Sequence, residues 1–252
     1  MMPMIELQNV HVVFNQGTHL ENHVLRGLDL KLDEGEFVTV IGSNGAGKST
    51  LMNVLTGEIQ VSSGDFFLDG NSLIELAPEQ RSKKIARIFQ NPLLGTFANL
   101  TIEENLSLAL RRGCRRGRRL ALDKKRRGEF KQALAKLDIG LENRLQDRVA
   151  LLSGGQRQAL SLIMATMQEA KLLLLDEPTA ALDPKMAKTV LSLTKRIVEE
   201  KHLTTLMITH SMSQALEYGN RTLLLHQGRI EKDIMGTERR RLAVEDMLSY
   251  FV

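Results

Sequence analysis

A glycine-rich loop between a buried strand and a helix constrains this chain more than any other feature. The β-branched run at 37–41 predicts a strand buried on both faces, and apolar residues recur at helical spacing from Leu51 onward. The loop between them follows the pattern G-x-x-x-x-G-K-S/T. Its residues are Gly42, Ser43, Asn44, Gly45, Ala46, Gly47, Lys48, Ser49 and Thr50. Strand, loop and helix in this order predict a phosphate-binding loop.

The residue types of this loop indicate its ligand. Glycines let backbone N–H groups approach phosphate oxygens without Cβ atoms in the way, and the helix that follows adds the positive end of its dipole. We expect Lys48 to reach the β- and γ-phosphates and the Ser49 hydroxyl to ligate Mg²⁺. The loop therefore predicts a nucleoside triphosphate, which kinases, GTPases, motors and transporters all bind in this way.

The remaining hydrophobic pattern predicts an α/β fold. Alternating apolar residues before 33 indicate strands, and helical spacing replaces strand signals between 91 and 152. A capping box, Thr101 with Glu104, opens one of these helices. Buried strands with helices between several of them predict a mainly parallel sheet with crossovers. These strands lie near 85–89, 172–175, 205–209 and 222–225, and a hairpin over 223–230 and a closing helix over 242–251 follow.

Two adjacent carboxylates follow the apolar strand at 172–175. Asp176 stands at the carboxyl end of that strand and is placed to hold Mg²⁺ through water. Glu177 could polarise an attacking water as a general base. The alternative is a simple Asp-Glu turn that caps the next helix, which the phosphate loop elsewhere in the chain disfavours.

A second anion-binding helix start is predicted at Leu152-Ser153-Gly154-Gly155-Gln156. Ser153 is a good N-cap, and the glycines expose backbone N–H groups at the start of an apolar helix that runs through Met167. One chain would then have two γ-phosphate sites for one nucleotide. This arrangement is reasonable if the second site serves a nucleotide held by another copy.

Taken together, these motifs resemble the ATP-binding cassette (ABC) family, specifically its free-standing transporter ATPase subunits, over nearly the whole length. Residues 42–50 resemble the Walker A loop, 152–156 are identical to the family signature, and 172–177 resemble Walker B with its catalytic glutamate. The resemblance implies ATP and Mg²⁺ as cofactors. It also implies a P-loop NTPase core, RecA-like, at 1–90 and 153–252, with an antiparallel β subdomain and a helical subdomain inserted at 91–152.

The resemblance assigns four further positions. Gln90 matches the Q-loop glutamine that senses Mg²⁺ and the transmembrane partner, and Asp183 matches the D-loop aspartate. His210 matches the switch histidine that contacts the γ-phosphate, and Phe14 is the best match to the aromatic that stacks on adenine. Ala180 stands where the D-loop often begins with serine, and we expect little loss of activity from that change.

The implied function is ATP binding and hydrolysis that drives transport through separate permease subunits, in the direction of import. The resemblance implies a homodimer or pseudo-dimer on ATP binding, a separate substrate-binding protein, and a peripheral location on the cytoplasmic face of the inner membrane. The sequence around 40–44 and 152–164 also resembles cassettes that serve permeases of the branched-chain amino-acid type. The sequence does not name the transported substrate.

Composition limits the alternatives. No apolar run approaches the ~20 residues of a membrane-spanning helix, the N-terminus has no secretory pattern, and the single cysteine, Cys114, suits a reducing cytoplasm. A phosphate-loop kinase is disfavoured, because kinases do not use the signature sequence found here at 152–156. A soluble cassette ATPase in a nucleic-acid process is the alternative function, but such proteins usually carry long coiled-coil inserts or two cassettes in one chain.

The net charge of +4 conceals a strongly basic segment. Residues 111–127 contain ten basic residues and one acid, which leaves 24 basic against 29 acidic residues elsewhere. The segment could be a solvated face of the helical subdomain, or it could contact anionic head groups or acidic loops of a membrane partner. Nucleic acid is the third option, which the absence of interleaved aromatic residues weakens.

Overall fold

The computed structural model describes residues 3–114 and 123–248 of the 252-residue chain. The central part of the basic segment and the end of the predicted closing helix lie outside these ranges. In the described residues the strands are β1 (Ile5–Phe14), β2 (Asn22–Leu32), β3 (Phe37–Ile41), β4 (Ser63–Leu68), β5 (Asn71–Ser72), β6 (Ile85–Ile88), β7 (Leu172–Asp176), β8 (Thr204–Ile208), β9 (Arg221–His226) and β10 (Arg229–Met235).

The helices lie between and after these strands. They are α1 (Lys48–Thr56), α2 (Pro78–Arg81), α3 (Ile102–Ala109), α4 (Lys124–Ala135), α5 (Gly154–Thr166), α6 (Pro184–Lys201), α7 (Met212–Glu217), α8 (Gly236–Arg241) and α9 (Val244–Leu248). Short 3₁₀ turns lie at Leu141–Asn143 and Val149–Leu151. The described residues divide into two compact units, the first up to Arg81 together with His202 onward, and the second at Ser82–Lys201.

The first unit contains an antiparallel sheet in the order β2-β1-β4-β5. Its apolar residues point inward along β1, but the spacing between Leu7 and Val10 is three residues instead of two. A bulge at this point, with Asn9 at a left-handed φ of 46°, keeps Leu7 and Val10 on the buried face. The irregular alternation in the sequence is therefore a bulge within one strand.

A second sheet in the first unit supports the phosphate loop. β3 lies between β8 and β9 and is parallel to both, while β9 and β10 form an antiparallel hairpin. All residues of β3 and β8 are buried, which explains why both strands consist of apolar residues and threonine. The one polar residue of β3, Thr39, is accommodated because its hydroxyl lies 2.9 Å from that of Thr222 and donates to the Ala215 carbonyl.

The second unit combines a parallel strand pair with helices. β6 and β7 align Ile85 with Leu172 and Ile88 with Leu175, so both strands end at the same edge. The predicted capping box of α3 is present, with Glu104 N donating to the Thr101 hydroxyl and Thr101 N donating to Glu104. Asp123 caps α4. In the described residues, the stretch at 91–152 contains α3, α4 and the two 3₁₀ turns, together with an isolated bridge between Thr101 and Arg148.

The structure differs from the sequence-based expectations in a few elements. β2 starts at Asn22, well before the predicted start near Leu28, because its polar first half pairs with the end of β1. β4 and the short helix α8 had no clear signal, since β4 contains a serine, a glycine and an aspartate. In the described residues no helix is both long and apolar enough to cross a membrane.

Candidate functional site

The phosphate loop joins β3 to α1 in the first unit. Gly47 precedes the helix with φ 103° and gives it no side-chain cap. Ser43, Asn44, Gly45 and Ser49 are exposed, whereas Lys48 is only 7% exposed. The Lys48 ammonium donates to the carbonyls of Gly42 and Ser43 at 2.8 and 3.0 Å. The lysine is thus folded back over the loop.

The glycines of the loop serve different purposes. A Cβ atom at Gly42 would lie 2.3 Å from the Leu225 carbonyl oxygen, so β9 requires glycine there. At Gly47 a Cβ would lie 2.9 Å from Leu25 Cδ2 of β2. Gly45, at φ 80°, has open space around it and is the one at which a ligand could approach the backbone. Packing and ligand access thus both require glycine in this loop.

His210 lies at the same sheet edge as this loop. β3 and β8 are parallel with Val40 opposite Ile208, so the loop and His210 both follow the carboxyl ends of paired strands. His210 is exposed. The register therefore brings His210 and Gly42 to equivalent positions after their strands.

Phe14 ends β1 and is paired with Asn22 across the hairpin. Its side chain is 38% exposed, which leaves part of the ring available for stacking. The loop beyond it is braced by Glu21, which accepts from Gly17 N at 2.7 Å and contacts His23 at 2.8 Å. The Gly17 N–H, and then His23, hold the pKa of Glu21 below its ordinary value.

The second unit brings together Gln90, Asp176 and Glu177 at the paired ends of β6 and β7. Gln90 Nε2 donates to Glu177 Oε2 at 3.3 Å. Glu177 has a left-handed φ of 45° although it is not glycine and precedes proline, a backbone state that is uncommon and often found at functional positions. Asp176 accepts a hydrogen bond from Arg87, a residue that the sequence analysis did not select.

The helix start at Ser153 has the predicted cap. Gln156 N donates to the Ser153 hydroxyl at 3.3 Å, and Ser153 N donates to Gln156 Oε1 at 3.1 Å. Gly154 is exposed and Gly155 is buried. The exposed face of this capped helix start therefore consists of Ser153 and Gly154, while the Gln156 side chain is committed to the cap.

Asp183 caps α6 immediately beside this helix start. Its carboxylate accepts from Met186 N at 3.0 Å, and the Met186 side chain fills the space where a Gly155 side chain would lie. A further contact that the sequence did not indicate is made by Gln158, 1% exposed, whose amide donates to the Phe89 carbonyl at 3.3 Å. Gln158 thus links α5 to the end of β6, next to Gln90.

The described part of the basic segment contains two cations with structural roles. Arg127 forms a two-point pair with Glu103, at 2.8 and 3.1 Å, and Glu103 is only 4% exposed. Arg127 therefore holds the pKa of Glu103 below its ordinary value. Arg112 donates to the Ser82 carbonyl at 2.7 Å. The residues at 115–122, which carry the densest charge, lie outside the described ranges.

Comparison with known proteins defines the class of this site. Residues 25–180 match the ABC transporter family. A tyrosine transport ATP-binding protein of Clostridioides difficile is 42% identical over 248 residues, covering 98% of both chains. The thiamine import ATP-binding protein ThiQ of Photorhabdus laumondii is 34% identical over 230 residues, covering 91% of this chain and 90% of that one.

Solved structures agree with this assignment. The dimeric ATP-binding cassette MJ0796, in a post-hydrolysis state with ADP and Pi, has a TM-score of 0.78 and 27% identity over 92% of this chain and 98% of its own. The cassette MJ1267 has a TM-score of 0.83 and 22% identity over the whole of both chains. At this identity the similarity supports the fold alone.

The chain belongs to the ABC transporter family. Within it, the chain is an ATP-binding and ATP-hydrolysing subunit, and this confirms the predicted α/β P-loop fold, enzyme class and main function. The tyrosine and thiamine relatives both carry transport names, one of them an import name, and neither supports the nucleic-acid alternative.

Proposed function

We propose that this chain powers import of a small solute by binding two ATP molecules between two copies of itself. The observation that carries the proposal is the capped start of α5, where Ser153 and Gly154 are exposed beside a fully satisfied cap. An exposed helix start of this kind suits a phosphate group. Because the phosphate loop already provides one such site, the second serves the nucleotide of the partner copy.

The proposed roles follow from the chemistry of each residue. Residues 42–50 and Lys48 bind the phosphates, Phe14 stacks on adenine, and His210 contacts the γ-phosphate. Glu177 is the general base, and Gln90 positions it through the amide hydrogen bond. Ser153, Gly154, Gly155 and Gln156 form the partner's γ-phosphate site, and Asp183 positions the D-loop between the copies.

Mg²⁺ fits the residues that would hold it. Ser49, Gln90 and Asp176 offer hydroxyl, amide and carboxylate oxygens, the hard donors that Mg²⁺ prefers. Ser49 is exposed in the first turn of α1, and Asp176 keeps a carboxylate oxygen beyond the one that Arg87 contacts. When bound, the ion would neutralise charge on the β- and γ-phosphates.

We further propose that separate permease subunits dock on the second unit, which places the protein on the cytoplasmic face of the inner membrane. Just after Gln90, Leu93, Leu94 and Phe97 are 48%, 70% and 60% exposed, a concentration of apolar surface typical of protein contacts. In this proposal the helical subdomain at 91–152 provides the docking surface. The RecA-like core comprises residues 1–90 and 153–252. A separate substrate-binding protein would deliver the solute.

The solute we propose is an amino acid. The support is the 42% identity to a protein named for tyrosine transport, against 34% for one named for thiamine import. Purifying the chain from membranes with its partners, and measuring ATPase stimulation by amino acids and by thiamine, tests this. Stimulation by thiamine alone would contradict it.

Replacing Glu177 by Gln tests the catalytic part. The amide can still accept a hydrogen bond but cannot act as a base, so we expect ATP binding to persist, hydrolysis to fall about 10²–10⁴-fold, and a dimer to accumulate on ATP. Size-exclusion chromatography with ATP detects the dimer. A variant that hydrolyses ATP near the wild-type rate would refute the base assignment.

A further inference from the structure

Arg87 and Asp176 form an almost buried ion pair at the ends of the paired strands β6 and β7. Arg87 Nη2 donates to Asp176 Oδ2 at 2.7 Å, and the two side chains are 10% and 13% exposed. The guanidinium also lies over the Phe89 ring, with Cζ 4.8 Å from the ring centre. Arg87 is thus held from two sides, by a carboxylate and by an aromatic face.

The strand itself does not require an arginine at this position. The other residues of β6, Ile85, Ala86 and Ile88, are buried and apolar. Placing a guanidinium among them is costly unless an anion compensates its charge, and that anion is Asp176. The parallel register places Arg87 opposite Leu174, from where its long side chain reaches forward to Asp176. The arginine therefore acts on the carboxylate rather than on strand pairing.

The ion pair with Arg87 weakens the electrostatic attraction between the Asp176 carboxylate and a metal ion. A bare carboxylate attracts a divalent cation with its full charge, whereas a carboxylate already paired with a guanidinium attracts it less, and the guanidinium repels the incoming ion. Removing the guanidinium would also leave a largely buried anion without compensation in the metal-free protein. Both effects favour tighter metal binding in its absence.

We propose that Arg87 is a positioning residue that serves as the counter-ion of Asp176 in the metal-free protein and lowers the affinity of the site for a divalent cation. The inference rests on the role of Asp176 in the proposed function. It predicts that metal and Arg87 compete for the same carboxylate, so the strength of the ion pair sets the cation concentration at which the nucleotide site becomes complete.

The test measures metal binding by the full chain rather than its activity. Mn²⁺ is titrated in the presence of a saturating non-hydrolysable ATP analogue, and the free ion is followed by electron paramagnetic resonance. We expect Arg87→Met to lower the half-saturating Mn²⁺ concentration by at least about five-fold. Arg87→Lys keeps the positive charge and should therefore lower this concentration by less than Arg87→Met does. If the methionine variant does not fold, Arg87→Gln takes its place.

Two controls separate the possible failures. Arg112→Gln removes another poorly exposed guanidinium of the second unit, one that donates to the Ser82 carbonyl, and should leave the Mn²⁺ midpoint unchanged. The inference is overturned if Arg112→Gln shifts the Mn²⁺ midpoint as much as Arg87→Met does. It is also overturned if Arg87→Met leaves the Mn²⁺ midpoint unchanged or raises it. Asp176→Asn should weaken Mn²⁺ binding. Wild-type binding in that variant would refute the proposed metal role of Asp176 itself, whereas weakened binding with no effect of Arg87→Met would refute only the counter-ion role.

Discussion

Gly155 and Met186 are packed so closely that no side chain fits between them: a Cβ atom on Gly155 would lie 1.9 Å from Met186 Cγ. Gly155 belongs to the helix start at 153–156, and Met186 donates its N–H to Asp183. The two motifs that are proposed to meet the partner copy are therefore joined within one chain. A change in the position of one must be accommodated by the other.

This contact predicts the effect of Gly155→Ala. The added methyl group must displace Met186, so we expect a loss of about 1–3 kcal/mol of unfolding free energy and weaker ATP-driven dimerisation. Shortening the neighbour in the double variant Gly155→Ala, Met186→Ala should recover part of this loss, because the two positions are coupled. Urea unfolding of both single variants and the double variant measures the coupling. Strict additivity would show that the contact is unimportant.

The two capping boxes of the second unit allow a matched comparison. Ser153→Ala and Thr101→Ala each remove an N-cap hydroxyl, and each should cost about 1 kcal/mol of stability. Only Ser153→Ala should also weaken dimerisation on ATP, since Ser153 is part of the proposed partner site and Thr101 is not. Comparing the ATP concentration needed for dimer formation tests this, and equal effects of the two variants would contradict it.

Gly42→Ala should destabilise the first unit independently of nucleotide. Its Cβ would lie 2.3 Å from the backbone oxygen of Leu225, which cannot move as a side chain can, and we expect a loss of about 1–3 kcal/mol. Gly17→Ala is the control, because Gly17 has open space and a φ of 75°, so only the backbone preference opposes the change, at about 1–2 kcal/mol. Unfolding without nucleotide compares them. A Gly42 variant as stable as the wild type would be unexpected.

The Glu103–Arg127 pair predicts a pH dependence. Arg127 lowers the pKa of Glu103 in the folded protein, so the pair's contribution is present above the unfolded carboxyl pKa of about 4.3 and is lost as pH falls through the lower, folded value. Arg127→Gln should therefore lower the unfolding free energy at pH 7, and this difference should shrink below about pH 4.

Lys136→Gln provides the control for that measurement. Lys136 and Glu200 form a pair in which both side chains are about half exposed, 58% and 46%, and little stability is expected from it at any pH. Urea unfolding at both pH values reports the two variants side by side. A cost for Arg127→Gln that grows on acidification would show that the pair is not the source.

The sequence alone predicted those features that depend on residues adjacent in the chain. The phosphate loop, the caps at Ser153 and Thr101 and the buried strand β3 all depend on neighbouring residues, and each was predicted from them. The contact of Gly155 with Met186 could not be predicted, because it joins residues about thirty positions apart through packing that no periodicity encodes.

The ion pair of Arg87 is a second contact that the sequence alone could not predict. Its charge inside an apolar strand was visible in the sequence, but its partner is set by the parallel register of β6 and β7. The early start of β2 likewise depends on pairing with β1, since its first residues are polar. Pairing between strands, rather than the local sequence pattern, therefore determines both the partner of Arg87 and the start of β2.

The folded-back position of Lys48 makes nucleotide binding an exchange of partners. Its ammonium is already satisfied by two carbonyls of its own loop, so an arriving phosphate must replace those contacts rather than meet an unsatisfied charge. The lysine then contributes to affinity only by the difference between the old and the new partners. Such a loop discriminates against weak anions, because an isolated phosphate offers the lysine little more than it already has, whereas a triphosphate also engages the rest of the site.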